Sequence, residues 1–180
     1  MKIWKSFSAF KLMGVSLIVL TACEEPRVDA MVFENLQQCL DDTTMDRGDC
    51  EANYKEARDQ HAAVAPKYAS AADCQADFGA GQCEKAPYQT QSGGSIFMPL
   101  MMGYMMGSMI GGRRSMMSQP LYRTAKNPAT FRTADSRNVG SATGRTQVAR
   151  SATSRPSFKS STISRGGFGT SARRFGSAGA

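Results

Sequence analysis

Sulfur and one imidazole are the chemistry-bearing groups of this chain: five cysteines, twelve methionines and a single histidine in 180 residues. Cys23 closes the run Leu20-Thr21-Ala22-Cys23. Small residues before a cysteine fit a peptidase pocket, and the cysteine sulfur is the atom that takes up a diacylglyceryl group. Upstream lie Lys2, Lys5 and Lys11, then the apolar stretch from Leu12 to Leu20. A basic start and an apolar run of about ten residues make an export signal that is too short to span a bilayer. The pattern predicts removal of residues 1–22 and lipidation of Cys23. Acyl chains contribute about 0.8 kcal/mol per buried CH₂, so two or three of them anchor stably. The competing reading is an ordinary secretory signal with a chance cysteine, or an uncleaved anchor. Glu24 stands where an aspartate would argue for inner-membrane retention, so the outer membrane is favoured.

The other four cysteines are Cys39, Cys50, Cys74 and Cys83. An even number in an exported small domain reads as a disulfide framework. Phe33-Glu-Asn-Leu-Gln-Gln-Cys39 aligns with Tyr68-Ala-Ser-Ala-Ala-Asp-Cys74, and a second cysteine follows each unit, eleven and nine residues on. This faint repeat favours Cys39–Cys50 with Cys74–Cys83, each clipping a small loop to a helix end. Cys39–Cys83 with Cys50–Cys74, stapling a helical hairpin, is the alternative. Zinc modules use closer Cys-x₂₋₄-Cys pairs, and a thioredoxin-like role would want Cys-x-x-Cys; neither spacing occurs. His61 lacks an evident partner in the sequence and reads as a half-buried helix residue.

The methionines concentrate in a second segment. Residues 96–112 carry no charge, and eight of the twelve methionines lie between Met98 and Met117. Gly103, Gly107 and Gly111 are spaced by four, as in a glycine zipper. On a helix of about 100° per residue they fall within about 80° of one another, with methionines opposite. Such a face lets another backbone approach, as small-xxx-small motifs do in membranes. Seventeen helical residues span about 26 Å, just short of a hydrocarbon core of about 30 Å, and Arg113 and Arg114 follow. The segment is expected to be a helix that enters the membrane or packs on a partner. A helix buried against the preceding domain is the second reading. A third is Cu(I), since thioether sulfur is a soft ligand and Met98/Met102, Met101/Met105 and Met105/Met109 would lie one turn apart.

These groups need elements to position them. Residues 24–90 carry a net charge of −8 and residues 113–180 a net +12, an acidic head and a basic tail that attract each other. Glu51–Ala65 reads as a helix. Tyr54, Ala57, His61 and Val64 recur on one face, and Pro66 ends it. Asp73–Phe78 reads as a short helix closed by Gly79 and Gly81. After Pro120 the chain is rich in Ser, Thr, Ala, Gly and Arg, with Arg132, Arg137, Arg145, Arg150 and Arg155 recurring. Few large apolar residues remain there to offset ordering entropy. The expected architecture is therefore a signal peptide (1–22), a small, mainly α, disulfide-stapled head (23–90), a hydrophobic Met/Gly helix (95–112) and a long disordered basic tail (113–180).

Several stretches together carry a resemblance. They are Ala65-Pro-Lys-Tyr-Ala69, Asp73-Cys74 running on to Phe78-Gly79, Gly81-Gln82-Cys83, Ala86-Pro87, Phe97-Met-Pro-Leu-Met101, Gly103-Tyr-Met-Met-Gly107, Gln119-Pro-Leu121, Lys126-Asn-Pro128 and Arg165-Gly-Gly-Phe-Gly169. In this order they resemble the YgiB family of enterobacterial envelope proteins, an uncharacterised group. The resemblance implies no catalytic residues. Its members' genes tend to sit beside one for an ATP-grasp ligase resembling glutathionylspermidine synthetase, which implies a shared pathway. The tail here is shorter and more arginine-rich than the family's.

The sequence points to a non-enzymatic envelope lipoprotein facing the periplasm. It would be a structural or adaptor module that forms homo-oligomers or meets a membrane-protein partner through the zipper helix. A binding module for Cu(I) or for anionic envelope polymers is the alternative. No cofactor and no nucleic acid is expected. No Ser/His/Asp set, phosphate loop or metal triad is visible in the sequence.

Overall fold

The computed structural model describes residues 25–107, 117–159 and 162–163. Cys23 and its leader, Gly111 and the last seventeen residues lie outside the described residues. In chain order the elements are β1 (Arg27–Phe33), α1 (Leu36–Leu40), α2 (Arg47–Val64), β2 (Lys67–Tyr68), α3 (Ala71–Phe78), β3 (Cys83–Gln89), β4 (Ser95–Pro99), β5 (Gly103–Gly107), β6 (Ser118–Thr124), β7 (Asn127–Thr133), β8 (Asn138–Gly140) and β9 (Gly144–Ala149). A 3₁₀ turn (Arg150–Thr153) and β10 (Thr162–Ile163) follow.

The expected mainly α head is overturned. Of the described residues 40% are strand and 27% helix. One sheet runs β8-β7-β6-β5-β1-β9, antiparallel throughout, and its two end strands approach each other so that it nearly closes into a barrel. A smaller sheet runs β10-β2-β4-β3, with β10 parallel to β2. Helix α2 lies across β5 and β6, and α3 packs on β3 and β4.

The repeat read from the sequence has a structural basis. Each unit ends a strand, turns through a capping residue and starts a helix whose fourth residue is a cysteine. The side chain of Asn35 accepts from the backbone N–H of Gln38 at 2.9 Å, and that of Ser70 from Asp73 at 3.1 Å. Both satisfy donors that a helix start leaves open. The disulfides are Cys39–Cys50, tying α1 to the first turn of α2, and Cys74–Cys83, tying α3 to the start of β3. Gly79 closes α3 with φ +106° and Gly81 follows at +72°, a region glycine adopts without steric cost.

The Met/Gly helix is also corrected. The segment forms two strands, β4 and β5, joined by residues 100–102. A strand covered on both faces reads as an unbroken apolar run, which periodicity cannot separate from a buried helix. Here Met105 faces Val32, Leu121, Phe131 and Val148 inside the nearly closed sheet. Tyr104 and Met106 face the other way, to Phe33, Cys39, Cys50 and Ala57 beneath the helices. Met98 belongs to a third cluster with Val64, Ile96 and Tyr122. Among the described residues the sulfurs that one helix would have gathered for Cu(I) are thus dispersed over three clusters, and Met109 lies outside the described residues. No helix among the described residues is long and apolar enough to cross a membrane.

The third correction concerns the tail. Residues 117–159 are ordered and supply β6 to β9 of the large sheet. Short side chains replace the missing large ones: Ser118, Thr133, Ala134 and Ala152 are buried beside Leu121, Tyr122, Phe131, Val139 and Val148. Arg123 stacks its guanidinium 4.2 Å from the centre of the Phe131 ring and pairs with Glu34 at 2.6 Å, so basic head-to-tail contact here is part of the fold.

Candidate functional site

Lysine is almost never buried unless paired, yet Lys67 is only 6% exposed. It sits on β2, the short strand between β4 and β10, so its stem is flanked on both sides. Its ammonium donates to the carbonyls of Ala63 (3.4 Å) and Lys159. The rings of Tyr88 and Phe158 lie 5.3 and 5.2 Å from the nitrogen, within the usual reach of a cation–π contact. Burial lowers the Lys67 pKa. Among the described residues no carboxylate pairs with it.

Lys67 helps line an open cleft of about 1040 Å³, which also involves Asp59, Ala62, Tyr88, Thr90, Ile96 and Phe158. Four pieces of chain build it. The end of α2 gives one wall, where the Tyr88 hydroxyl donates to the Ala62 carbonyl at 2.5 Å. Burial raises the Tyr88 pKa, keeping that hydroxyl protonated. The β3–β4 turn gives the rim. There Thr90 Oγ1 accepts from the backbone N–H of Gly94 at 2.8 Å, and Gly93 takes φ +81°. The last wall is the segment carrying Phe158. Asp135 holds it by accepting from the Ser157 N–H (2.9 Å), the Ser157 hydroxyl (3.2 Å) and Lys159 Nζ (2.6 Å). Burial alone would raise the Asp135 carboxyl, but the hydrogen bonds from Lys159 and Ser157 outweigh it and hold the pKa below its ordinary value.

On its sheet-facing side α2 carries His61, for which the sequence offered no partner. The structure gives it two. Nδ1 lies 3.0 Å from the Tyr122 hydroxyl and Nε2 3.2 Å from Glu84 Oε1. A carboxylate only accepts, so Nε2 carries the proton, and Nδ1 then accepts from Tyr122. Burial pushes the Tyr122 phenol strongly up, which keeps it a donor. This network pins α2 to β6 and β3. It is satisfied in the neutral state, and its tyrosine is 1% exposed, so it acts as a clamp rather than a surface for substrate.

Desolvation lowers the His61 pKa from its ordinary 6.5, with the Glu84 hydrogen bond opposing. The unfolded chain therefore binds the proton more readily than the folded one. The stabilisation is present above the unfolded value of about 6.5 and is lost as pH falls from there toward the folded value. Urea midpoints measured from pH 7 to 5 should fall, and His61→Gln should remove part of that slope. An identical slope in both proteins would refute the assignment.

The other sequence-derived sites fall differently. The four cysteines form the two pairs described above. Gly103 and Gly107 sit on one strand, not on a helix face, and Gly111 and Cys23 lie outside the described residues. Among the described residues no group of three or more His, Cys, Asp or Glu side chains is placed to hold a metal. Lys67 was missed. Its only signal is a lone charge between Pro66 and Tyr68 in an apolar stretch directly after a helix.

A family model described as a protein of unknown function (DUF1190) matches residues 27–179. The chain belongs to this family. The matched span holds every strand of both sheets and the cleft. A UPF0441 protein of Erwinia tasmaniensis is 40% identical over 188 residues, covering 93% of this chain and 84% of the relative. UPF0441 proteins of Yersinia enterocolitica and Yersinia pestis are each 36% identical, with the same shares of 93% and 84%. The YgiB resemblance read from the motifs fits this uncharacterised enterobacterial family. No solved structure matches the chain.

Proposed function

We propose that this DUF1190 protein is a lipid-anchored, non-enzymatic binding module of the bacterial cell envelope, facing the periplasm, with the Lys67 cleft as its recognition site. The observation that carries the reading is the cleft itself. It combines an apolar floor with a few fixed polar groups, the usual make-up of a ligand site. The tether is supported by the Leu20-Thr21-Ala22-Cys23 run after a basic and apolar leader. The compartment is supported by the two disulfides, which persist where the surroundings oxidise. Glu24 favours the outer membrane.

Two measurements test this. Cells fed a clickable palmitate analogue should label the wild-type chain and not Cys23→Ser, and wild type should sediment with membranes while the variant is released. Labelling of neither protein would remove the anchor. For the module, Tyr88→Ala with Ile96→Ala should reduce capture of the native occupant from envelopes at least ten-fold. Unchanged capture would move the site elsewhere.

A further inference from the structure

We infer that the cleft takes a single-chain amphiphile ending in one carboxylate, such as a fatty acid, with the head on Lys67 and the chain along Ile96, Ala62 and Phe158. The inference rests on the binding-module reading and names the ligand class for that site.

Charge selects the head. A buried cation is stable when it meets an opposite charge or a full set of acceptors. Lys67 has two carbonyl acceptors, from Ala63 and Lys159, and three N–H donors. The remaining donor lies among the cleft's own rings, Tyr88 and Phe158. The acid on the rim is already committed: Asp59 accepts from Lys55 Nζ at 2.6 Å. The ammonium of Lys159 is likewise bound to Asp135. Among the described residues one positive charge is therefore left facing the cleft without a counter-ion. A single carboxylate balances one charge, whereas a phosphate monoester brings nearly two.

Apolar surface selects the body. Phe158 is 72% exposed although it lies against Lys67 and lines the cleft. An alkyl chain laid along it and Ile96 would remove apolar surface from water, a gain that grows with each buried CH₂. The volume of about 1040 Å³ lies just above the usual range of about 300–1,000 Å³ for small-molecule sites and leaves room for a long chain.

The test uses the mature full-length chain carrying Cys23→Ser, purified without detergent, and titrated calorimetrically with dodecanoate, dodecanol and dodecyl phosphate, each below its micelle concentration or solubility limit. Dodecanoate should bind one to one, at least ten-fold more tightly than either of the others. Lys67→Met should weaken dodecanoate at least ten-fold and leave dodecanol unchanged. In case Lys67→Met does not fold, the wild type supplies a second readout: dodecanoate, and not dodecanol, should protect Lys67 from acetic anhydride, read by peptide mass spectrometry. Equal binding of dodecanol and dodecanoate would overturn the carboxylate while leaving the cleft as a binding site. Tighter dodecyl phosphate would overturn the one-charge match. No binding of any of the three, together with unprotected Lys67, would overturn this ligand class. Loss of the binding-module reading itself would require the unchanged capture by the Tyr88→Ala, Ile96→Ala variant.

Discussion

Replacing both disulfides, by Cys39→Ala with Cys50→Ala and Cys74→Ala with Cys83→Ala, lowers the unfolding free energy by about 5 kcal/mol. The bridges close short loops, with separations of eleven and nine residues. Loop-closure entropy gives each about 2.5–3 kcal/mol. The loops do not overlap in sequence and clip different helices, so the effects should nearly add. A domain of this size has about 5–15 kcal/mol in total, so the quadruple variant is expected to be largely unfolded at 37 °C. Urea midpoints of the two double variants and the quadruple variant measure it. The two bridges also differ in what they hold. Cys39–Cys50 fixes the start of α2, whose far end walls the cleft, while Cys74–Cys83 fixes β3, which carries Tyr88. A total loss below 1 kcal/mol would mean that sheet packing alone sets the stability and that the bridges are incidental.

What could be read from the sequence was local. The helix over Glu51–Ala65 rests on 3.6-residue periodicity ended by Pro66, and the short one over Asp73–Phe78 on the glycines after it. Both are present with earlier starts, as Arg47–Val64 and Ala71–Phe78. The repeat around Cys39 and Cys74 rests on a capping residue three positions before a helical N–H, again a local rule. The errors came where burial is two-sided or long-range. Tyr104, Met105 and Met106 are apolar in succession because both faces of β5 are covered, a cause that leaves no period to detect. The ordering of residues 117–159 depends on pairing with β5 and β1, far upstream, and on Arg123 meeting Glu34 across the fold. Composition alone underestimates a segment that borrows its core from other strands. The partners of His61 lie 61 and 23 residues away, and the cleft needs the end of α2, β2, the β3–β4 turn, Phe158 and Thr162 together. Each piece is unremarkable alone, so the site had no compact signature.

Gly103 and Gly107, spaced by four as in a glycine zipper, should part company on substitution. In a helix interface Gly103 and Gly107 would have equivalent roles, and a methyl at either would push the partner backbone away. In the sheet they differ. A Cβ on Gly103 would stand 2.7 Å from the Phe33 carbonyl oxygen, 3.1 Å from Phe131 Cε1 and 3.4 Å from Glu34 Cα. The first contact is backbone of the neighbouring strand, held in register by Phe33 opposite Tyr104, so it cannot swing aside as a side chain would. Phe131 is itself fully buried and stacked by Arg123. Overpacking of this kind costs about 1–3 kcal/mol, and Gly103→Ala is expected at or above about 3 kcal/mol because β1 or β5 must shift. At Gly107 a Cβ meets nothing within 4 Å among the described residues. Gly107→Ala should change stability by less than about 0.5 kcal/mol, as surface replacements do. Urea unfolding of the two single variants decides between the arrangements, since only strand geometry makes the methyl intolerable at one position and harmless four residues on. Equal losses at both positions would restore the helix and remove the sheet contact that Gly103 makes with Phe33.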